Sequence, residues 1–376
     1  MLRRCEARTV AGGEELADAR SDGDSARTQG LSAVIMRIRR FLRFVLAVVI
    51  HYSGLLSIRG FIRRRIFRQE EFCILCLHRV LSFQDQTQSH SLPGMVLREE
   101  TFVELLDYLK RWFLTVPLEV LLKNRKELGD RSKPRCVVTF DDGWIDNFTT
   151  AYPWLKKFGV PAVIFVVPDF VESGKPFWVE QLVHAWREPH QRERIQSRLR
   201  ELAVDGPGPR ANLEDVVEWL KHMVAQRRQR ILGGLLSSQE SERDPEVDRP
   251  VTWDQLREMC QKGIEVGSHT VSHPLLTYED DATVERELRE CKQVIEERLA
   301  TNVRAFAYPN GDWDPRVRKM VQQAGYECAF TTCRGWHRHG EDPFTIRRIM
   351  LHEGKVTGPR GRFSPAMLSL SLTGWR

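Results

Sequence analysis

The sequence is short of long hydrophobic runs. The apolar stretch from Phe44 to Ile58 covers about 15 residues and contains His51, against the roughly 20 apolar residues that a spanning helix needs, so a membrane span is not expected. No early basic region leads into a small-residue cleavage site of the kind that marks a secretory leader. Charge of one sign is not in large excess: 57 Lys and Arg face 51 Asp and Glu, a net +6, and much of the surplus lies between Arg37 and Arg68. That pattern describes a local basic patch and argues against a nucleic-acid-binding domain. A second basic run, "AQRRQR", has no interleaved aromatics for base stacking and reads as a solvated helix face. The eight cysteines are scattered through apparent strands and helices and resemble no small-domain disulfide framework. Most are expected to be reduced core thiols. Cys73 and Cys76 have CxxC spacing, but in "FCILCL" positions three apart face opposite sides of a strand, and a redox or zinc role lacks its structural context.

What is present divides along the chain. Residues 1–35 carry few large apolar groups and are expected to be a disordered tail. Residues 36–68 form a basic apolar segment suited to a helix lying on an anionic membrane surface, with a helix packed on the domain as the alternative. From Glu71 onward, short apolar runs ("FCILCL", "CVVTF", "AVIFVV", "IEVGS", "VRAFAY", "CAFTT", "TIRRIML") alternate with helical stretches. Such alternation predicts an α/β fold on a parallel sheet, open or closed into a barrel, over residues 69–360. Function then belongs at the C-terminal ends of the strands. The charged stretch of about 180–249 breaks the rhythm and reads as a helical insertion near one edge of the site, and 361–376 reads as a C-terminal tail.

Three motifs sit where predicted strands end. "TFDDGW" closes a core strand on Asp141 and Asp142; two carboxylates so close repel unless a cation or a donor neutralises them. Neighbouring residues at a strand end point different ways, so one can ligate while the other faces substrate. An Asp-Asp-Gly turn capping the next helix is the plainer reading of that dipeptide alone. "GSHTVSHP" places His269 and His273 four apart, which a single helical turn would bring to one side. Asp and two His make a site for a borderline cation such as Zn²⁺, with positions left open for water. "VRAFAYPNG" runs a strand into a turn that can present backbone N–H groups to a developing oxyanion, although tight-turn chemistry explains Pro309 and Gly311 equally well.

Together, "TFDDGW", "SHTVSH" and "FAYPNG", after an "LHRV" strand, resemble the polysaccharide deacetylases, the NodB-like family of metal-dependent carbohydrate esterases, over roughly residues 72–350. The resemblance implies a distorted (β/α) TIM-like barrel, here with a helical insertion, and removal of acetyl groups from an N-acetylated sugar of a surface polysaccharide or its lipid-linked precursor. It implies Asp141 as general base, Asp142, His269 and His273 as ligands of Zn²⁺ or another divalent transition metal, and a backbone N–H near Asn310 at the oxyanion. His352, after the last strand, is the candidate general acid. Where many family members carry an arginine that pairs with the base, this chain has Ala307; Arg304, Arg347 or Arg348 could substitute, and Arg348 is favoured. Trp144, Trp178 and Trp336 are candidates for a sugar-stacking wall, each also readable as core. His78 in "LHRV" resembles a family feature without an assigned role, and His337 and His339 read as a polar loop. An O-acetyl esterase or a non-catalytic carbohydrate-binding barrel is the alternative. An acetylated carbohydrate is the expected partner, with peripheral membrane contact and no nucleic acid. Cysteine usage and the lack of a leader favour the cytoplasm, at the inner face of a membrane.

Overall fold

The computed structural model describes residues 38–39, 41–53, 71–123, 133–201, 206–208, 211–236 and 246–373. The expected disordered tail (1–35) lies outside them, as does 54–68 of the basic segment. Seven strands carry the main unit: β1 (Glu71–Leu77), β2 (Arg135–Phe140), β3 (Ala162–Val166), β4 (Glu265–Ser268), β5 (Ala305–Ala307), β6 (Cys328–Arg334) and β7 (Ile346–Met350). Each is parallel to the next in sequence, and β1 pairs with both β2 and β7. The sheet is therefore a closed barrel of the (β/α) kind, as expected. Strands such as "CVVTF" and "AVIFV" are apolar at successive positions because one face fills the barrel and the other meets helices.

The barrel interior holds Phe72 and Ile74 of β1, Val137 of β2, Val163 and Phe165 of β3, Ala305 of β5, Phe330 of β6 and Ile346 of β7 in one cluster. Val116, Leu118 and Val120 join that cluster, and the Leu118 N–H donates to Glu265 Oε1 at 2.8 Å where β4 begins. The short helix Leu118–Lys123 thus closes the N-terminal end of the barrel, leaving the C-terminal end for chemistry.

Helices α1 (Glu99–Trp112), α2 (Tyr152–Phe158), α7 (Trp253–Gln261), α8 (Asp281–Leu299) and α9 (Pro315–Gln323) alternate with the strands, while α3 (Trp178–Arg187), α4 (Pro189–Glu201), α5 (Leu213–Lys221) and α6 (Ala225–Leu235) form the insertion between β3 and β4. Their ends follow local chemistry. Gly159 takes the left-handed conformation (φ 66°) that stops α2, and Thr252 with Gln255 forms a capping box that starts α7. The insertion has its own core, including Leu182, Ile195, Val216, Leu220 and Leu232.

Residues 1–67 and 356–376 group as a second unit. Among its described residues, 41–52 are helical and pack Ala47, with Phe44 and Val48, against Ala366, Met367 and Leu370 of α10 (Pro365–Leu372). His51 Nδ1 and Ser369 Oγ join them at 2.8 Å. The run "PAMLSLSL" is therefore a buried helix, where the sequence suggested a tail: its apolar side chains have a partner face that the sequence alone does not reveal. The 41–52 helix leaves a second apolar face, Phe41, Leu42, Val45, Leu46, Val49 and Tyr52, exposed to solvent. No described helix is long and apolar enough to cross a membrane.

Candidate active site

β2 delivers Asp141 to the barrel mouth with its carboxylate buried, and β7 delivers Arg348 to meet it. The guanidinium donates from Nη1 to Asp141 Oδ1 at 2.6 Å and from Nη2 to Oδ2 at 2.7 Å, while its Nε donates to the Thr331 carbonyl at 3.0 Å. Arg348 is thus the arginine that pairs with Asp141. Arg304 instead pairs with Glu327 on the surface. Burial by itself would raise the pKa of Asp141; the Arg348 charge, aided by His269, outweighs it and holds the carboxyl well below the usual carboxylate range.

Asp142 takes a left-handed backbone (φ 77°), which turns its side chain away from that of Asp141. Its Oδ2 accepts from Trp144 Nε1 at 3.1 Å, and its Oδ1 faces His269 Nε2 at 3.5 Å and His273 Nε2 at 3.6 Å. His269 donates from Nδ1 to the Ala307 carbonyl at 2.7 Å, which leaves the Nε2 lone pair pointing into the group. Burial, reinforced by His269, pushes the His273 imidazole down to about 3, so it is neutral at pH 7 with a lone pair to offer. One carboxylate oxygen and two imidazole nitrogens thus lie within 4.8 Å of one another. Separations too long for good hydrogen bonds but short enough to share a cation fit a divalent metal, and the mixed N and O donors suit a borderline one.

The two histidines do not sit on a helical turn. Residues 269–275 form an irregular loop in which Thr270 (φ 67°) and His273 (φ 58°) are left-handed. Glu287, from α8, accepts from the Val271 and Ser272 N–H groups at 2.8 and 3.0 Å and from the Ser272 hydroxyl at 2.7 Å, and Thr270 Oγ1 accepts from the His273 N–H at 3.0 Å. A buried carboxylate from another element offsets the backbone strain that four-residue spacing hides.

At the end of β5, Tyr308 enters a tight turn in which Asn310 is left-handed (φ 56°) and its carbonyl accepts from Thr332 Oγ1 at 2.9 Å. A β-carbon on Gly311 would collide with the Thr332 backbone nitrogen, so close approach of the turn to β6 requires glycine there. Asn310 lines the same cavity as Asp141, Asp142, His269 and His273.

His352 does not line that cavity, whereas His78 does. His78 follows β1 directly, its Nδ1 is buried without a hydrogen-bond partner, and a ring nitrogen lies within 4.8 Å of both the Asp141 carboxylate and Cys76 Sγ. Burial lowers its pKa, although both aspartates pull the other way. The available signal was position: a histidine immediately after a core strand stands where Asp141 stands on the next one.

Trp144 and Trp178 line the cavity, and Trp336 packs instead near Phe113, ring centroids 6.3 Å apart. Behind the site, Arg79 is fully buried. It donates to Asp146 Oδ1 at 2.7 Å and to Asp248 Oδ1 at 2.8 Å and lies 4.1 Å from the Trp144 ring centroid. The insertion contributes Trp178, Glu180, Lys221 and Arg228. Arg228, read from "AQRRQR" as solvated, is only 4% exposed.

Comparison with known proteins adds family and fold. The family model described as "Polysaccharide deacetylase" matches residues 129–329, more than half of the chain. The putative polysaccharide deacetylase YxkH of Bacillus subtilis (strain 168) is 22% identical over 234 residues, 62% of this chain and 57% of that protein, so the chain spans less than two thirds of that relative's length. Among solved structures, the Streptococcus pyogenes deacetylase PplD in complex with acetate is similar at 19% identity and TM-score 0.51, covering 78% of this chain and 99% of that one. The putative polysaccharide deacetylase BA0330 from Bacillus anthracis is similar at 17% identity and TM-score 0.51, covering 78% and 68%. At these identities the structural likeness is one of fold.

Proposed function

Starting from a chain that belongs to the polysaccharide deacetylase family, we propose that it hydrolyses the acetamide of an N-acetylated sugar, in a surface polysaccharide or its lipid-linked precursor. The observation that carries this reading is one cavity holding both an ionised, arginine-clamped Asp141 and the Asp142, His269 and His273 donor set.

Asp142, His269 and His273 would hold a divalent transition metal such as Zn²⁺, which when bound polarises a carbonyl and acidifies water. Asp141 acts as general base: kept ionised by Arg348, it takes the proton from the attacking water as the oxygen adds to the acetyl carbon. In the Tyr308–Gly311 turn the Tyr308 and Gly311 N–H groups donate to the Phe330 and Tyr308 carbonyls and Pro309 has none, so the Asn310 N–H is the backbone donor assigned to the carbonyl oxygen as negative charge develops on it. As the C–N bond breaks, the departing nitrogen needs a proton, and the one that Asp141 took from water can be relayed to it through His78, whose ring nitrogen lies within 4.8 Å of the Asp141 carboxylate. Acetate and a free amino sugar result, with no covalent enzyme intermediate. The exposed apolar face of the 41–52 helix, with Arg39 and Arg43 on the same segment, supports peripheral contact with an anionic membrane surface; the cytoplasmic side is proposed from the cysteine usage alone.

The test is bound metal measured together with acetate release from short N-acetylglucosamine oligomers, for wild type, Asp141→Asn and His269→Ala. Metal retained in the first variant and lost in the second, with acetate release abolished in both, is the expected result. Acetate from O-acetyl but not N-acetyl substrates would move the assignment to an esterase, glycan binding without turnover at full metal occupancy to a binding barrel, and a wild type that takes up no metal would overturn the mechanism.

A further inference from the structure

The cavity has a cationic wall that hydrolysis of an acetamide does not use. Arg228 on α6 and Lys221 at the end of α5 line it, and both act on His273 electrostatically. Arg228 is only 4% exposed. Among the described residues its guanidinium makes neither a hydrogen bond nor an ion pair, and its one close partner is the Trp178 ring, 5.4 Å from the centroid.

Its electrostatic neighbours are committed elsewhere. Glu279 accepts from the Ala225 N–H at 2.6 Å, and Glu287 holds the histidine loop. Among the described residues Lys221 has only Glu218, at 4.0 Å. The remaining acids of the cavity do not neutralise the wall either: Asp141 is clamped by Arg348, Asp142 faces the two histidines, and Glu180, its pKa pushed up to about 8 by burial, keeps its proton at neutral pH. A guanidinium cannot shed its charge in a protein. Leaving one buried and unpaired is costly, a cost that a ligand completing the pair would offset.

We infer that Arg228 and Lys221 bind an anionic oxygen group, phosphate or carboxylate, carried by the acetylated glycan, so that the enzyme selects an acidic substrate. A planar fork and a compact ammonium lining one cavity suit such a group, the fork fixing its orientation and the ammonium adding charge. As a statement about substrate, this rests on the deacetylase reading; as a statement about an anion site, it stands apart from it.

The experiment measures affinity by calorimetry and acetate release in parallel, on the metal-loaded full chain, for three ligands: N-acetylglucosamine 1-phosphate, a glucuronyl-N-acetylglucosamine disaccharide and neutral chitobiose. Wild type is expected to bind one acidic ligand on the order of tenfold more tightly than chitobiose, and which one identifies the group. Arg228→Met should erase that preference and Arg228→Lys keep part of it. Equal affinity for acidic and neutral ligands in wild type overturns the inference, as does a preference that persists in Arg228→Met, since it would then belong to the metal. If Arg228→Met does not fold, the wild-type preference and its reduction in Lys221→Met decide the matter. Acidic preference without acetate from any ligand would leave the anion site standing and remove the deacetylase reading.

Discussion

Arg348 and Asp141 meet through two parallel hydrogen bonds of 2.6 and 2.7 Å although their strands, β7 and β2, are not neighbours: β1 runs between them. The pair is fully desolvated, so it fixes the ionisation of Asp141 and ties the barrel mouth together. Replacing Arg348 by Met leaves a buried carboxylate without its partner, and we expect a stability loss of about 3–5 kcal/mol. We also expect the pKa of Asp141 to rise, since burial then acts unopposed by that charge. Because a depressed carboxyl pKa stabilises the fold at neutral pH and loses that effect as pH falls through it, the deficit should shrink in acid. Denaturant titrations of wild type and Arg348→Met at pH 7 and pH 3 check both points; an equal deficit at the two pH values would mean that Arg348 acts by packing alone.

For the proton donor, we expect His78→Gln to lower kcat by about 10²–10⁴-fold, the range for losing a general acid, with bound metal unchanged. His352→Gln should have little effect, because that ring does not line the cavity. Steady-state kinetics with a metal assay on both variants decides between them, and the reverse ranking would return the role to His352.

Glu180 gives a pH signature of its own. Its pKa, raised to about 8 by burial, lies above the ordinary value near 4.5. Between those values the folded state holds a proton that the unfolded state has released, so stability falls as pH rises through that window. Glu180→Gln removes the ionisation, and we expect it to gain stability relative to wild type at pH 8.5 compared with pH 5. Unfolding midpoints at the two pH values measure this, and a difference that does not change with pH would place the Glu180 pKa outside the window.

The exposed face of the 41–52 helix should matter for membranes and not for chemistry. Changing Phe41, Leu46 and Val49 to Ser is expected to abolish sedimentation of the protein with vesicles containing anionic lipid while acetate release from soluble oligomers is kept. Retained sedimentation would assign the face to a protein partner.

The motif carriers were legible because each follows a strand that its own composition announces: "CVVTF" ends on Asp141 and "IEVGS" on the His269 loop. Arg348 was legible as the favoured one of three arginines, and strand alternation separates it from Arg347: Ile346 and Arg348 share a face, and Ile346 lies in the barrel core. The left-handed histidine loop was not legible, since what holds it is Glu287, 14 residues beyond His273 in sequence and on another element. Nor was the burial of Arg228. A run of basic residues on one helix looks solvated until other elements, Trp178 of α3 among them, are packed against it, and that packing is a tertiary event that periodicity does not encode.

The clamp between β2 and β7 also makes the chemistry conditional on completed folding. Until the last strand docks beside the first, Asp141 lacks the guanidinium that outweighs its burial, and a chain that has built most of its barrel still lacks the clamped carboxylate. Under the proposed reaction, competence therefore arrives only with closure of the ring.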